Sequence, residues 1–412
     1  MSIRKKLFSA LMLFLFVSCL SAQNTNSPYS RFGLGSLENP TLGKNRAMGG
    51  VGYGIRDNTL VNPLNPASYS AVDTVNFVFD FGVSSSVSVF SQDNQNQVNP
   101  NGRFDFLAIK IPLKKYWGLS VGIMPYSSVG YSYYIDRATP RGETDYTETH
   151  VGTGGLNTLF LGSGILLGKH LSLGANLKYV FGSISYNNSI LYDNSLNTNL
   201  YEFNSLYLGT TSLDLGFQYQ TPLGAKGKAV LGATYTNASN FSLCDNQQAS
   251  ISPSKDTIIT TTHNDFSLPS SFGIGASYTY DNRLTIGMDC QYQAWSKASI
   301  NGVKDSMSNS NRFALGVEYL PQTIATNYLK AIKYRFGVQY GDTYYKFSDG
   351  NIKNAGLSVG FGLPLRGQKT ALNFSFEAGK LLVPSSCPIK ENYYKVSLDV
   401  TFNEMWFLKR KL

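Results

Sequence analysis

Charge, cysteine and histidine are all scarce in this chain, and each shortage excludes something. Charged residues make up only 15% of the 412, where a soluble domain usually carries about a quarter. The formal charge of +9 falls to +6 once Arg4, Lys5 and Lys6 leave with the first segment, and the excess is spread without a dense basic block. Nucleic-acid binding therefore has no footprint. His150, His170 and His263 lie far apart and lack metal-ligand spacing, and no nucleophile elbow or calcium loop is present. The expectation is a non-enzymatic protein with no cofactor, although outer-loop carboxylates leave room for weak binding of a divalent cation. Of four cysteines, Cys19 belongs to the leading segment. Cys244, Cys290 and Cys387 remain, an odd number that leaves at least one thiol unpaired; Cys244 and Cys387 fall in loops that permit a disulfide if they meet.

Long apolar runs are also missing, with one exception. Met1–Ala22 has a basic start, an apolar stretch from Leu7 to Val17 and small residues at Ser21 and Ala22. That is the pattern of a secretory signal peptide cleaved after Ala22. Phe16, Val17 and Ser18 before Cys19 make a poor lipid-attachment site. Beyond it, no run approaches the roughly 20 apolar residues of a spanning helix.

What the chain does have is alternation. Leu171, Leu173, Ala175, Leu177, Tyr179 and Phe181 fall on one side of a strand, with Ser172, Gly174, Asn176 and Lys178 on the other. The same period recurs along the chain, giving about fourteen strands between residues 74 and 407. Short turns, as at Gly168–His170, alternate with long polar loops at 89–102, 132–151, 185–206, 240–268 and 298–308. Such a division between ends is that of an outer-membrane barrel, with short periplasmic turns and long outer loops. The predicted fold class is thus all-β: a transmembrane antiparallel barrel of about 14 strands with a short N-terminal hatch or plug, in the outer membrane of a Gram-negative bacterium. Closure follows because lipid cannot satisfy a free sheet edge.

Parity sends Leu, Val, Ile and Phe to lipid and places Lys178, Asp214, Asp289, Arg312, Glu318, Lys333, Arg335, Glu377 and Asp399 inside, as a polar network that braces the lumen. Tyr116, Trp117, Tyr278, Tyr280, Trp295, Tyr344, Tyr345 and Trp406 suit the membrane interfaces. The predicted organisation is a signal peptide at 1–22, a periplasmic lead-in and hatch at 23–72, and the barrel at 73–412.

One stretch fits neither pattern. Gly43–Ala67 is rich in Gly and Pro and reads as a fixed, tightly turned backbone. Within it Arg46-Ala47-Met48-Gly49-Gly50, Asp57-Asn58 and Asn65-Pro66-Ala67 resemble the N-terminal signature of the long-chain fatty-acid transporter family of outer-membrane barrels, which includes aromatic-hydrocarbon uptake proteins. The resemblance implies a fourteen-stranded barrel whose hatch holds Arg46, Gly49, Gly50, Asp57, Asn58, Asn65, Pro66 and Ala67 inside or beneath the wall. Tyr29–Gly35 is expected to be an extra periplasmic contact or plug segment. The resemblance also implies passive uptake or capture of a hydrophobic compound. A charged lumen points instead to a structural or accessory subunit of a larger outer-membrane export, uptake or barrel-assembly complex, with protein partners besides lipid. An open porin is a third alternative.

Overall fold

The computed structural model describes residues 27–93, 95–138, 145–193, 199–252, 255–263, 266–300, 302–304, 307–323, 327–365 and 370–405. The expected signal peptide, Trp406 and the turn at 366–368 lie outside them, as do the side chains of Cys244 and His263.

Fourteen antiparallel strands form the wall: β1 (Asn76–Gln92), β2 (Gln95–Lys114), β3 (Trp117–Ala138), β4 (Asp145–Leu167), β5 (Leu171–Tyr192), β6 (Leu200–Leu223), β7 (Gly227–Thr236), β8 (Ser271–Tyr280), β9 (Leu284–Gln293), β10 (Ser310–Tyr319), β11 (Lys333–Phe347), β12 (Gly350–Pro364), β13 (Ala371–Leu382) and β14 (Lys390–Met405). Each pairs with the next, and β1 pairs with β14 from Asn76–Met405 to Ser91–Lys390, which closes the ring. Closure leaves no sheet edge in the hydrocarbon, where an unpaired backbone group costs several kcal/mol (roughly). Leu173, Leu177, Leu231, Ile274, Phe313 and Leu357 point outward and are exposed to lipid, as the alternation requires. Among the described residues no helix is long and apolar enough to cross a membrane; the strands cross it.

The wall is uneven. Strands β7–β10 have 10 residues each, about the length that spans a bilayer at the usual tilt. Strands β2–β6 have 20 to 24, so they continue about a dozen residues beyond it, roughly 25 Å outward. The predicted loops 89–102, 132–151 and 185–206 are therefore largely strand. The polarity alternation fades there because both faces of the sheet are wet, and the signal for strand fades with it. The 240–268 loop likewise holds a hairpin, Leu243–Ser252 with Lys255–His263, that pairs onto the outer half of β6.

The wall also parts at one place. β2 and β3 are paired only from Leu107–Ile123 to Lys114–Trp117, and their outer halves separate. There a two-residue strand, Ser36–Leu37, pairs with Ser128 and Ser127 of β3.

Candidate functional site

The lumen is filled from within by the chain's own N-terminal segment, which from Ser27 in the outer half of the barrel descends to the start of β1. Ser27 donates its backbone N–H to Gly130 on β3. Three short 3-10 turns then follow, Pro28–Arg31, Gly43–Met48 and Pro66–Ser70. Gly49 ends the second with φ 66°, and Gly50 continues at φ 77°. Both need the left-handed region that glycine alone enters freely. Asn65 starts the third: its side chain accepts from the Ala67 N–H at 3.1 Å and donates to Tyr53 at 2.8 Å and Phe217 at 3.0 Å.

In the inner half this segment touches the wall directly. A Cβ on Gly337 would stand 1.9 Å from the Gly49 nitrogen, and one on Gly174 2.3 Å from the carbonyl carbon of Pro66. The backbone contact is ringed by charge. Arg46 pairs with Asp105 and lies over the Phe106 ring at 5.1 Å. Lys44 pairs with Asp57 and reaches Glu318 at 3.4 Å, and Glu318 is held by Arg335 at 2.6 Å. Arg335 continues to Asn373 at 2.8 Å. Asp289 accepts the Gly52 and Tyr53 N–H groups at 2.6 and 3.0 Å. Arg312 donates to the Gly49 carbonyl at 2.6 Å, while the Gly49 N–H donates to Ser358 at 2.9 Å. Burial alone raises the Asp57 carboxyl, but Lys44 and Lys333 outweigh it and hold the group well below the ordinary carboxylate range.

The outer end is closed differently, by an apolar core. Trp295, Tyr344, Leu34 and Ile352 are at most 1% exposed, and Tyr29, Phe241, Phe266, Leu268, Ile300 and Met307 pack with them. The Trp295 and Tyr344 rings are 4.5 Å apart, and Tyr344 donates to the Gly35 carbonyl at 2.5 Å. Glu38, further along, pairs with Arg103 on β2 and accepts from Ser128 on β3 at 3.1 Å, across the parted strands. Burial pushes Glu38 up, Arg103 pulls it down more strongly, and the carboxyl rests at about 2.

Between the closures lies a cavity of about 440 Å³ with Lys178, Asp214, Arg312, Glu377 and Tyr393 in its lining. Lys178 and Asp214 pair at 2.7 Å, and Glu377 accepts from Gln339 at 2.6 Å and from Tyr393 at 3.0 Å. The lining is mixed in charge rather than continuously apolar.

Of the residues singled out from the sequence, Arg46, Gly49, Gly50, Asp57, Asn65, Pro66 and Ala67 all sit in the inner packing; Asn58 is exposed. Lys333 stands beside Lys44 and Thr59 in a small inner recess. Asp399 is buried, and among the described residues neither of its oxygens has a hydrogen-bond partner. Two expectations need correction. Tyr29–Gly35 is a plug segment rather than a periplasmic contact: it lies at the outer end, where Tyr29 bonds to Ile389 and Phe32 meets Phe347. Trp295, Tyr344 and Tyr345 belong to the interior core, although Tyr116, Trp117 and Tyr280 do face outward. The disulfide left open between Cys244 and Cys387 is answered on one side: Cys387 is a free, buried thiol near Tyr29.

Sequence reasoning missed Asp105, Lys110 and Glu38. A bulge in β2, where Val83 pairs with Phe104 but Gly82 with Phe106, slips the parity at Asp105. Lys110 obeys the parity and was there to be found: its ammonium donates to the Leu60, Asp57 and Ala71 carbonyls at 2.5, 3.2 and 3.2 Å. His150 stacks on Tyr133 and bonds to Asn188 at 2.8 Å. Among the described residues no group of three or more His, Cys, Asp or Glu is arranged to hold a metal.

A closed fourteen-strand ring with a lipid-facing apolar band and a lumen filled by its own N-terminal segment defines an outer-membrane β-barrel protein of a Gram-negative bacterium. Its sequence matches the BamG family model over residues 3–412, and the chain belongs to that family. No curated protein is similar enough in sequence to be matched. Among solved structures the fold is similar to a Pseudomonas aeruginosa FadL homologue (TM-score 0.61, 12% identity, 90% of this chain and 99% of that one). It is similar too to the CymD monoaromatic hydrocarbon channel (0.58, 15%, 90% and 100%) and the Ralstonia pickettii toluene transporter TbuX (0.56, 13%, 88% and 98%). At these identities the likeness is one of fold.

Proposed function

We propose that this chain is a non-enzymatic accessory subunit of a larger outer-membrane complex, of the barrel-assembly kind, with residues 27–72 serving as a fixed internal brace. The observation that carries this reading is that the N-terminal segment is held in the lumen by unlike means at its two ends: buried ion pairs and backbone contact inside, an aromatic core outside. A barrel that passes a solute needs at least one end that opens at low cost. Here the inner end is tied by Arg46–Asp105, Lys44–Asp57 and Arg335–Glu318, and breaking such a buried pair costs about 3–5 kcal/mol. The mixed-charge cavity supports the same reading, since it offers an apolar solute no continuous path. Membership of the BamG family and the tall outer sheet of β2–β6 fit a subunit that meets other proteins. Extraction in mild detergent tests it. A stoichiometric complex that survives size exclusion is expected, and a barrel that always leaves the membrane alone contradicts it.

A second reading, passive uptake of a hydrophobic compound, is favoured by the fold shared with hydrocarbon channels and by the parting of β2 from β3. Transfer of a hydrophobic reporter across liposomes by the purified chain distinguishes the two.

A further inference from the structure

An acid sits at the rim of the outer apolar core. Glu391 is the second residue of β14, a strand of 16 residues of which the inner ten or so span the bilayer, so it stands above the membrane at the mouth. Register sets it between Phe90 of β1 and Leu381 of β13, and it is only 5% exposed. Its partners are hydroxyls: Ser27 donates from Oγ at 2.6 Å and Ser88 from Oγ at 3.5 Å. Ser27 also caps the first turn of the N-terminal segment, for its Oγ accepts the Tyr29 N–H at 3.3 Å and its carbonyl accepts from Ser30 at 2.6 Å. Tyr29 in turn donates its hydroxyl proton to the Ile389 carbonyl, two residues before Glu391. The carboxyl is thus the point where the first turn is fastened to β14.

No positive charge answers it. Asp105, Asp57, Glu318, Glu38 and Asp214 each face a cation; among the described residues none stands within ion-pair distance of Glu391. The N-terminal segment brings Tyr29, the turn before β14 brings Cys387, and β11 brings Tyr345. β1 offers Ser88 and β13 only Leu381. Along β14 itself, Lys390 is exposed and Lys395 turns to Asp105 at 4.0 Å. Arg31 is engaged with Tyr133, and Glu38, the other acid near Tyr345, is held by Arg103. Burial raises the Tyr29, Tyr345 and Cys387 groups, so all three stay neutral around pH 7. An ionised carboxylate taken out of water without a counter-charge costs more than two hydroxyls return, whereas a neutral acid is accommodated there.

We infer that Glu391 is a proton-operated latch on the outer mouth: the Pro28–Arg31 turn is held against the wall while the carboxyl is neutral and is released when it ionises. The cavity lined by Ser27, Ser88 and Glu391 gives the ionised carboxylate a place beside water without any change at the inner lock. Burial pushes the Glu391 carboxyl up to about 7, against the bonds from Ser27 and Ser88 that pull it down. A raised value in the closed form means that the contribution of this group is complete below the ordinary carboxylate range and is lost as pH rises through about 7. The outer mouth therefore tightens in acid and loosens toward alkaline pH, the opposite of the inner carboxylates.

Amide hydrogen exchange of the purified full chain, read at residues 29–35 between about pH 5 and pH 8.5 and corrected for the intrinsic pH dependence of exchange, tests the latch. Protection of the first turn should fall about a hundredfold from pH 5 to pH 7, tenfold per unit for one proton, and level off above about pH 7.5. Residues 43–50 at the inner lock should keep theirs throughout. Glu391→Gln, neutral and of the same shape, should hold the first turn protected across the whole range, and Ser27→Ala should lower its protection several-fold already at about pH 5. Heat-modified gel migration checks that each variant keeps its barrel. A native profile that is flat over this range overturns the latch with no variant needed. A Glu391→Gln profile that falls together with the native one overturns it as well, because the titrating group then lies elsewhere. Parallel loss of protection at 43–50 also overturns it, since the segment then moves as one body.

Discussion

The two ends of this barrel are closed by opposite chemistry. The inner closure is polar and backbone-tight: Arg46, Lys44 and Arg335 neutralise Asp105, Asp57 and Glu318, and glycines on the wall let the segment lie against it. The outer closure is apolar, built around Trp295 and Tyr344 with almost no exposed surface. A polar lock fixes position, because each charge has a specific partner and leaving one unpaired is costly. An apolar core tolerates small shifts and is held by area and packing. The inner end therefore sets where the segment sits, and the outer end packs an apolar core over its first turns.

Breaking the lock should have the largest effect. Asp105→Ala strands Arg46 in a buried site, while Arg103 keeps Glu38, and is expected to cost about 3–5 kcal/mol. It should free the segment to protease without unmaking the wall, so heat-modified gel migration persists while limited proteolysis cuts between residues 39 and 60. Trp295→Ala attacks the other end at a similar or slightly smaller cost, about 3–5 kcal/mol before the mouth relaxes. Its signature is different: outer-loop cleavage rises and the inner segment stays protected. If Trp295→Ala exposes the inner segment as readily as Asp105→Ala does, the two closures are one cooperative unit and the contrast fails.

Gly337→Ala sharpens the account of close contact. Its methyl group meets the Gly49 nitrogen, and the overpacking is expected to cost about 1–3 kcal/mol, read as a lower thermal midpoint. Acid gives a smaller, graded effect. Asp57 and Glu38 both have depressed folded-state values, so their contribution is complete above the ordinary carboxylate range and is lost as pH falls, for Glu38 through about 2. Exchange protection of residues 38–60 should hold at pH 6 and weaken progressively below about pH 4. Asn58→Ala is the control. The residue is exposed, and the change should stay within about 0.5 kcal/mol.

Much of the wall was legible from residue order alone, for a physical reason. Lipid on one side and a polar lumen on the other impose a period of two that composition cannot hide, so all fourteen strands fall where alternation places them. Where water bathes both faces, as in outer β4 and β5, that constraint lapses and strand reads as loop. The interior charges on regular strands, such as Lys178 and Asp214, were visible through the same parity, but their partners were not. Asp105 was hidden by a bulge that exchanges inside for outside. The aromatic core was misassigned because Trp295 and Tyr344 are chemically suited to a membrane interface as well; only their position over the N-terminal segment decides.

The central claim is that this barrel is shut at both ends and works as a fixed part of a larger assembly. Its most direct test is flux of a hydrophobic reporter, and ion conductance, across liposomes holding the purified full chain, compared with the Asp105→Ala variant. The account predicts no flux above empty liposomes for the native chain and a measurable leak only when the lock is broken. Steady, saturable reporter transfer by the native chain alone would contradict it.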